Sequence, residues 1–286
     1  MKKIQFTIIL FLFSIIAFCG EFSFAVLNVG QGLNVVVQSP DNKVLIYDCG
    51  TSDFNDIDFS QNELCFDRIT KPYLNQIQAK DIEYMCLSHP HTDHYVGLIR
   101  CLNSYNVKHF LSNGENNSNK NFRNLMNKIR SKNIPISKVY YGLNYKLGKE
   151  VDIFILAPIP NFHFDDPDNN SIVMKITYKN QSFLLMGDVG EVAEPYLIQH
   201  CKNYLKSNVL VCGGHGTKYS STENFLKVCQ PKYAIISCGK NNPYHLPHSP
   251  LLKRLKQNNI YYYRTDTKGN IIVKVKDDKL IFNTIH

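Results

Sequence analysis

The amino-acid sequence predicts an α/β fold of four layers, an αββα sandwich in which two facing mixed β-sheets carry helices on their outer sides. Two observations lead to this prediction. Strand-rich segments that each contain a hairpin begin near residues 22 and 171, and strand-like and helix-like segments alternate after each of them. No linker-like composition separates the two halves, so we expect one domain that covers residues 22–286.

The first 19 residues have the layout of a secretory signal peptide. Lys2 and Lys3 precede an apolar run over residues 4–18, and cleavage after Cys19 would leave small residues at the two positions that need them. We therefore expect a secreted or extracytoplasmic protein. The alternative is an uncleaved N-terminal anchor, which is the one arrangement in which we expect membrane contact, although the apolar run is short for a bilayer span.

The composition is that of an ordinary globular chain, with 44% hydrophobic residues and a formal net charge of +8. It argues against a disordered, repetitive or coiled-coil protein. A modest positive excess suits an anionic partner such as nucleic acid or another phosphoester. A lysine-rich surface without a specific partner explains the charge equally well, and no stable protein partner is predicted.

The first half is predicted to begin with three strands. Turn-forming residues separate them, Gly30-Gln31-Gly32 after the first and Ser39-Pro40-Asp41-Asn42 after the second, and the latter reads as a hairpin. Apolar periodicity then predicts alternating helices and strands. The predicted strands cover residues 22–29, 33–38, 43–48, 82–87, 107–111 and 151–156, and the predicted helices cover residues 68–78, 95–102 and 122–130.

The second half repeats this plan. A hairpin that turns at Lys179-Asn180 opens it, and further strands and helices alternate up to short strands near the C-terminus. The predicted strands cover residues 171–177, 182–186, 208–212 and 233–237, with others near 261, 271 and 280, and the predicted helices cover residues 191–205, 222–228 and 249–257.

The chain has nine cysteines, and removal of Cys19 with the signal leaves an even number. In an oxidising compartment this allows disulfides, whose pairing a sequence does not reveal. Pairs of Cys65 with Cys101 and of Cys201 with Cys229 are conceivable. Cysteines within the apolar strands are more typical of buried free thiols.

One short segment carries most of the chemical information. His89-Pro90-His91-Thr92-Asp93-His94 places three histidines and a carboxylate within six residues, directly behind a predicted strand that ends at Leu87. Imidazole and carboxylate are the ligands that first-row divalent ions favour at neutral pH. On the turn after a strand, these side chains can converge without burying unpaired polar groups. The segment therefore predicts a metal site.

Four more side chains suited to metal binding or proton transfer each follow a predicted strand: Asp48, Asp188, His215 and His248. Ligand sites in layered α/β folds gather outside strand ends, so a shared site is expected there. Each residue also has a plain structural explanation. The two aspartates are typical of turns and helix N-caps, and the two histidines are typical of loops and surfaces.

The histidine segment, together with Gly187-Asp188 and Gly214-His215-Gly216, resembles the metallo-β-lactamase superfamily of metal-dependent hydrolases. Within it, the chain is most similar to the extracytoplasmic hydrolase domain of ComEC-type DNA-uptake proteins and to its stand-alone secreted relatives. The resemblance covers about residues 22 to 275 and implies the αββα fold of that superfamily. It also rests on LNVGQG at residues 27–32, DNNSIV at 168–173, HGTKYSS at 215–221, PKYAIIS at 231–237 and YRTD at 263–266.

The resemblance implies one or two divalent metal ions, with Zn²⁺ favoured and Mn²⁺ as the alternative. It implies that His89, His91 and Asp188 hold one ion. A second ion would be held by Asp93, His94, Asp188 and His215, with Asp188 bridging the two. Asp48, Asn169 and Asn170 would support these ligands from behind, and His248 would stand near the substrate or a reacting oxygen.

Three departures from the family pattern bear on this assignment. The opening aspartate is Asn28, and the first histidine of the family's HHGS motif is Gly214. Asn169 and Asn170 stand where many superfamily members supply a third histidine to the first metal. The second site is therefore complete in sequence and the first is not, so occupancy by one or two ions stays open.

The predicted function is that of a secreted metal-dependent hydrolase that uses a metal-activated hydroxide, with a phosphodiester, and DNA in particular, as the favoured substrate. Asp93, Asp188 and His248 are the predicted catalytic residues. Lys218 and the backbone N–H groups of Gly216 and Thr217 are predicted to bind substrate phosphate. The alternatives are a phosphocholine-type, other ester or β-lactam hydrolase, and a non-catalytic secreted binding protein on a decayed hydrolase scaffold.

Overall fold

Two β-sheets of eight and seven strands lie face to face in the computed structural model, which describes residues 20–51 and 64–285. The predicted signal peptide at residues 1–19 lies outside this part of the chain. Within the described residues, no helix is long and apolar enough to cross a membrane.

The first sheet has the strand order β15-β14-β1-β2-β3-β4-β5-β6. Neighbouring strands are antiparallel from β15 to β3 and parallel from β3 to β6. The strands are β1 (Ser23–Val26), β2 (Asn34–Gln38), β3 (Val44–Cys49), β4 (Asp81–Leu87), β5 (Asn106–Ser112), β6 (Ile136–Lys138), β14 (Asn270–Lys276) and β15 (Lys279–Ile285).

The second sheet has the order β13-β12-β11-β10-β9-β8-β7. It is parallel from β13 to β10 and antiparallel from β10 to β7. Its strands are β7 (Asn144–Leu147), β8 (Val151–Ala157), β9 (Val173–Tyr178), β10 (Gln181–Leu185), β11 (Val209–Val211), β12 (Tyr233–Ile236) and β13 (Tyr261–Arg264).

Helices cover the outer face of each sheet. Asn119 caps one of them by accepting a hydrogen bond from the backbone of Asn121, and Thr222 caps another by accepting from Phe225. The helices are α1 (Lys71–Gln76), α2 (Thr92–Ser104), α3 (Lys120–Ser131), α4 (Glu194–Leu205), α5 (Glu223–Cys229), α6 (Ser249–Gln257) and α7 (Thr265–Lys268). A π-helical turn (Phe66–Thr70) leads into α1.

The alternation of side chains along each central strand explains the layers. In β3, Leu45 and Tyr47 enter the core between the sheets, whereas Ile46 enters the core beneath α1–α3. In β10, Phe183 lies between the sheets and Leu184 lies beneath α4–α6. Strands buried on both faces need apolar residues at successive positions, which is why these runs are continuously hydrophobic.

Aromatic contacts join the two sheets at the centre. The rings of Phe24 and Phe183 stack with centroids 4.4 Å apart, and those of Phe22 and Tyr178 stack at 4.6 Å. The hydroxyl of Tyr47 in β3 donates to the carbonyl of Ile172, just before β9, at 2.5 Å. These contacts fix how one sheet sits on the other, and both sheets contribute to the site described below.

The four-layer αββα prediction is confirmed, and the predicted strands and helices recur with ends shifted by a few residues. The prediction missed β6 and β7, which are short and mostly polar. It also missed that β14 pairs with β1 and so belongs to the first sheet. The conceivable disulfides do not form: the eight described cysteines, from Cys49 to Cys238, are buried free thiols.

Candidate metal centre

Loops from both sheets meet at one edge of the sandwich. His89 follows β4, and His91 directly precedes α2, whose first turn carries Asp93 and His94. The turns after β10 and β11 bring Asp188 and His215 to the same edge from the second sheet. Carboxyl ends of neighbouring parallel strands lie together, which is why side chains far apart in sequence converge here.

Asp93, His94, Asp188 and His215 form the first of two clusters whose ligand atoms lie within 4.8 Å of one another. His94 Nε2 lies 3.3 Å from Asp188 Oδ1 and 3.8 Å from Asp93 Oδ2. His215 Nε2 lies 3.1 Å from Asp93 Oδ2 and 3.5 Å from Asp188 Oδ2. The four residues that the sequence assigned to one ion are therefore brought together.

The opposite nitrogens of these histidines are held by fixed partners. Asp48 Oδ2 lies 2.8 Å from His94 Nδ1, and the carbonyl oxygen of Ser237 lies 3.1 Å from His215 Nδ1. Both partners accept hydrogen bonds, so Nδ1 carries a proton in each ring and Nε2 is the atom presented to the cluster. This is the arrangement by which carboxylates and carbonyls orient metal-binding histidines, and Asp48 takes the supporting position predicted for it.

The second cluster consists of His89, His91 and Asp168. Asp168 Oδ1 lies 2.8 Å from His91 Nδ1 and 3.2 Å from His89 Nε2. The hydroxyls of Ser88 and Ser171 lie 3.0 and 3.1 Å from His89 Nδ1. The sequence left the ion at His89 and His91 short of a ligand, and Asp168 stands in the position of that missing ligand.

Asp168 was not assigned a role from the sequence, because it precedes a strand instead of following one. It lies in a 3₁₀ turn (Pro167–Asn170) whose first residues are held by Asp166, which accepts from the Asp168 backbone at 3.1 Å. Asn169 accepts from the backbone of Gly190, and the side chain of Asn170 bonds both backbone groups of Phe164. The two asparagines therefore hold the loops that carry Asp168 and Asp188, in agreement with a supporting role.

The two clusters combine strongly interacting charges. Burial favours the neutral form of Asp188, but His215 and His94 beside it hold the pKa of its carboxyl well below the ordinary value. Burial opposes protonation of His215, yet Asp188 and Asp93 raise its pKa to about 10. The hydrogen bond to Asp168 raises the pKa of His91. The carboxylates therefore favour the protonated forms of His91 and His215 when no metal is bound.

The residues present fit divalent ions. In the described part of the chain, His89 Nε2, His94 Nε2, His215 Nε2 and Asp188 Oδ1 are buried and make no regular hydrogen bond. Buried polar atoms are costly unless they are paired. Nitrogen and oxygen atoms that face one another in this way are the donor set of zinc, manganese and iron sites.

Four other predicted residues make contacts within the protein. His248 Nδ1 accepts from the backbone of Lys218 at 3.0 Å, and its Nε2 lies 3.1 Å from the carbonyl of Tyr244, so both ring nitrogens serve the protein backbone. The Lys218 ammonium lies over the ring of Tyr219. The backbone N–H groups of Gly216 and Thr217 donate to Gly213 and Gly214, respectively, within their own turn, which differs from the predicted phosphate-binding role.

A cavity of about 760 Å³ opens onto the clusters. Asp93, Asp168, Asp188 and His215 reach its wall. Two tyrosines that the sequence did not single out, Tyr219 and Tyr244, also line it. Their only signal in the sequence was that Tyr219 directly follows Lys218 and that Tyr244 lies four positions before His248.

Known proteins of related sequence are competence and recombination proteins. ComE operon protein 3 of Bacillus subtilis (strain 168) is 28% identical over 277 residues, which cover 94% of this chain and 35% of that protein. Recombination protein 2 of Haemophilus influenzae is 28% identical over 254 residues, which cover 89% of this chain and 29% of that protein. The chain therefore spans about a third of the length of these relatives.

Solved structures share the fold at low sequence identity. The metallo-β-lactamase fold protein YhfI from Bacillus subtilis superposes with a TM-score of 0.56 at 12% identity, over 89% of this chain and 99% of that one. CmlA, a diiron β-hydroxylase from Streptomyces venezuelae, superposes with a TM-score of 0.56 at 10% identity, over 90% of this chain and 54% of that one. The sequence model of the metallo-β-lactamase superfamily matches residues 27–240. The chain belongs to the metallo-β-lactamase superfamily.

Proposed function

We propose that the protein is an extracytoplasmic metal-dependent phosphodiesterase that acts on nucleic acid, with DNA as the favoured substrate. The observation that carries the proposal is the pair of adjoining clusters at the base of one open cavity. Two divalent ions side by side are the common arrangement of enzymes that cleave phosphate esters.

Asp93, His94, Asp188 and His215 would hold one ion, and His89, His91 and Asp168 would hold the other. Divalent ions bound there would lower the pKa of water from about 15.7 towards about 7 and would offset the charge of a phosphodiester. The offset of negative charge is needed at this site. Five carboxylates in the cavity wall, those of Asp93, Asp166, Asp168, Asp188 and Glu191, would repel a phosphate, and two divalent ions would offset most of that negative charge.

The protein's own groups would orient the reactants. Asp93 is 22% exposed and faces the cavity, so it is placed to accept a proton from the attacking water. Water would add to phosphorus as it loses a proton to Asp93, the ester P–O bond would break, and the departing oxygen would take up a proton from solvent and leave as an alcohol. Asp48 and the Ser237 carbonyl would keep the histidine rings from turning during this exchange.

Three lines of support favour nucleic acid as the substrate. The relatives are competence and recombination proteins, and the present chain resembles the hydrolase part of DNA-uptake proteins. The net charge of +8 favours approach of a polyanion. Aromatic side chains at the cavity mouth suit nucleobases. Because the chain spans about a third of those relatives, a role in DNA uptake is itself part of the proposal.

The decisive experiment combines metal analysis with a substrate panel. The protein, purified from Gly20 onward and reconstituted with Zn²⁺ or Mn²⁺, should hydrolyse bis-p-nitrophenyl phosphate and single-stranded DNA. His91→Ala and Asp188→Ala should abolish this activity, whereas His163→Ala, at an exposed histidine outside both clusters, should not. A protein that binds no metal at neutral pH would instead favour the non-catalytic binding protein. Activity that survives the first two substitutions would also refute the proposal.

A further inference from the structure

Two exposed tyrosines stand at the mouth of the metal cavity. Tyr219 is 52% exposed and Tyr244 is 58% exposed, and both line the cavity that Asp93 and Asp188 reach. Single exposed aromatic side chains are common on protein surfaces, but two that line the same cavity form a candidate binding surface. The two come from separate loops, after β11 and after β12, so they face the same opening from different parts of the second sheet.

Tyr219 is displayed on a firmly held loop. Its carbonyl accepts from the backbone N–H of Glu191 at 2.6 Å. The guanidinium of Arg254 donates to the carbonyls of Lys218 and Ser220, on either side of the tyrosine, at 3.0 and 2.9 Å. The hydroxyl of Ser220 donates to the carbonyl of Gly213 at 2.6 Å. A ring on such a loop loses little freedom when it binds a ligand.

His248 joins the two loops. Its Nδ1 accepts from the N–H of Lys218, directly before Tyr219, and its Nε2–H donates to the carbonyl of Tyr244. Asn242 closes the second loop by bonding the carbonyls of Gly239 and Leu246. Together with the backbone bond from His248 N–H to the carbonyl of Gly216, the imidazole helps to set the distance between the two tyrosine-bearing segments, which makes His248 a positioning residue.

We propose that Tyr219 and Tyr244 form a stacking surface for a nucleobase adjacent to the phosphodiester at the metal centre, and that His248 holds this surface in place. The inference rests on the proposed function and specifies its substrate as unpaired nucleic acid, since a base stacked in a duplex has no free face. Base–aromatic stacking tolerates any base. The Lys218 ammonium, 4.8 Å from the centroid of the Tyr219 ring, supplies a positive charge for a neighbouring phosphate.

An acyl chain is a poorer match for this surface. Val192 is an exposed aliphatic residue of the cavity wall, and the other exposed side chains there include the two tyrosines and the carboxylates of Asp166 and Glu191, so the wall is mostly polar. Nucleobases combine a flat apolar face with polar edges, which suits such a mixture.

The test measures binding, so that it does not depend on hydrolysis. The Zn²⁺-loaded protein is titrated with a fluorescein-labelled octathymidylate whose phosphorothioate linkages resist cleavage, and with an abasic octamer of the same backbone. The wild type should bind the thymidylate more tightly. Tyr219→Ala and Tyr244→Ala should each reduce that preference by about 5-fold or more, and Tyr219→Phe should retain it.

Tyr261→Ala is the matched control. Tyr261 is 66% exposed but is the first residue of β13, whereas the metal centre lies beyond the carboxyl ends of the parallel strands. Its replacement should therefore not change the preference for the thymidylate over the abasic octamer. His248→Ala should weaken the preference for the base, and His248→Asn, which retains a hydrogen-bond acceptor, should restore part of it. Equal binding of the two octamers by the wild type, or loss of affinity for both in the tyrosine variants, would overturn the proposal.

A kinetic comparison separates this inference from the proposed function. The ratio of kcat/KM for thymidine 5′-p-nitrophenyl phosphate to that for methyl p-nitrophenyl phosphate should fall in Tyr219→Ala and Tyr244→Ala. If the wild type hydrolyses neither compound, the proposed function fails, and the octamer preference still decides whether the stacking surface exists.

Discussion

Asp48 and His94 form a fully buried pair in which the carboxylate oxygen Oδ2 lies 2.8 Å from the ring nitrogen Nδ1. Asp48 also accepts from the backbone N–H and the hydroxyl of Ser88, each at 2.7 Å. The carboxylate thus has three donors and no freedom to turn. It fixes the His94 ring with Nε2 directed at Asp188, and it links β3 to the turn after β4.

Replacing Asp48 by Asn should weaken metal binding at the cluster of Asp93, His94, Asp188 and His215. The amide removes the charge that makes the His94 ring a stronger ligand, and such supporting residues are typically worth about 10- to 100-fold in metal affinity. Competition with a chromophoric chelator measures the change. Asp152→Asn, at a 59% exposed carboxylate, is the control. Unchanged affinity in Asp48→Asn would contradict this role.

Asp168→Asn should reduce the metal content from two ions to one. It keeps the side-chain shape and the backbone bond to Asp166, but it replaces the oxygen charge that faces His89 and His91. Elemental analysis after dialysis against a weak chelator gives the stoichiometry. Asp165→Asn, at an exposed residue of the same loop, should retain both ions. Two ions retained by Asp168→Asn would show that the second cluster does not depend on this carboxylate.

Metal binding at pH 7 should release protons. His215 has a pKa of about 10 in the metal-free protein, raised from 6.5 by Asp188 and Asp93 against the effect of burial, so an ion must displace its proton. Titration of Zn²⁺ into weakly buffered protein with a pH indicator should therefore show acidification. His215→Asn should release fewer protons. Identical release from the two proteins would contradict the role of His215 as a protonated side chain that the metal ion deprotonates.

The same raised pKa gives the stability of the metal-free protein a defined pH dependence. The charged imidazolium stabilises the folded chain fully below the unfolded-state pKa of 6.5, and this contribution is lost as the pH rises through about 10. The melting temperature of the metal-free wild type should therefore fall from pH 7 to pH 10 more steeply than that of His215→Asn. Parallel curves would argue against an elevated pKa.

Tyr47→Phe should destabilise the protein without altering its fold. The hydroxyl of Tyr47 donates to the carbonyl of Ile172 across the sheet interface, and both lie in a fully buried region. Loss of the donor should cost about 1–3 kcal/mol, because a buried carbonyl loses its partner. Urea denaturation measures the free energy of unfolding. Tyr73→Phe, whose hydroxyl makes a longer 3.3 Å contact with Ser23, should cost less.

The four residues of the first cluster could be predicted from the sequence, because the strand ends indicated a shared site and the family resemblance implied its ligands. Asp93, His94, Asp188 and His215 each stand behind an apolar run, and the carboxyl ends of such runs meet at one edge. Asp168 could not be found in this way. Its position depends on hydrogen bonds of Asn169 to Gly190 and of the Asn170 carbonyl to Asn113, and nothing local indicates which way such a turn faces.

The predictions about His248, Gly216 and Thr217 show a different limit. Their residue types suit phosphate binding, but local chemistry does not reveal whether a donor is already engaged. The N–H groups of Gly216 and Thr217 close their own 3₁₀ turn, and the ring of His248 bonds two backbone groups.

The number of layers in the fold could be predicted from the periodicity of apolar residues. The pairing of β14 with β1 could not, because it depends on which sheet edge is free when the chain returns.

That pairing has a consequence for how the protein is made. β1 lies between β2 and β14, and the backbone of Asn28 bonds the side chain of Asn270, 242 positions later. At ordinary rates of protein synthesis, β14 is made roughly 10–50 seconds after β1, so one edge of β1 stays unpaired for that time. Until β14 arrives, the bare edge is a template for pairing with another molecule, and misassembly during synthesis would begin there.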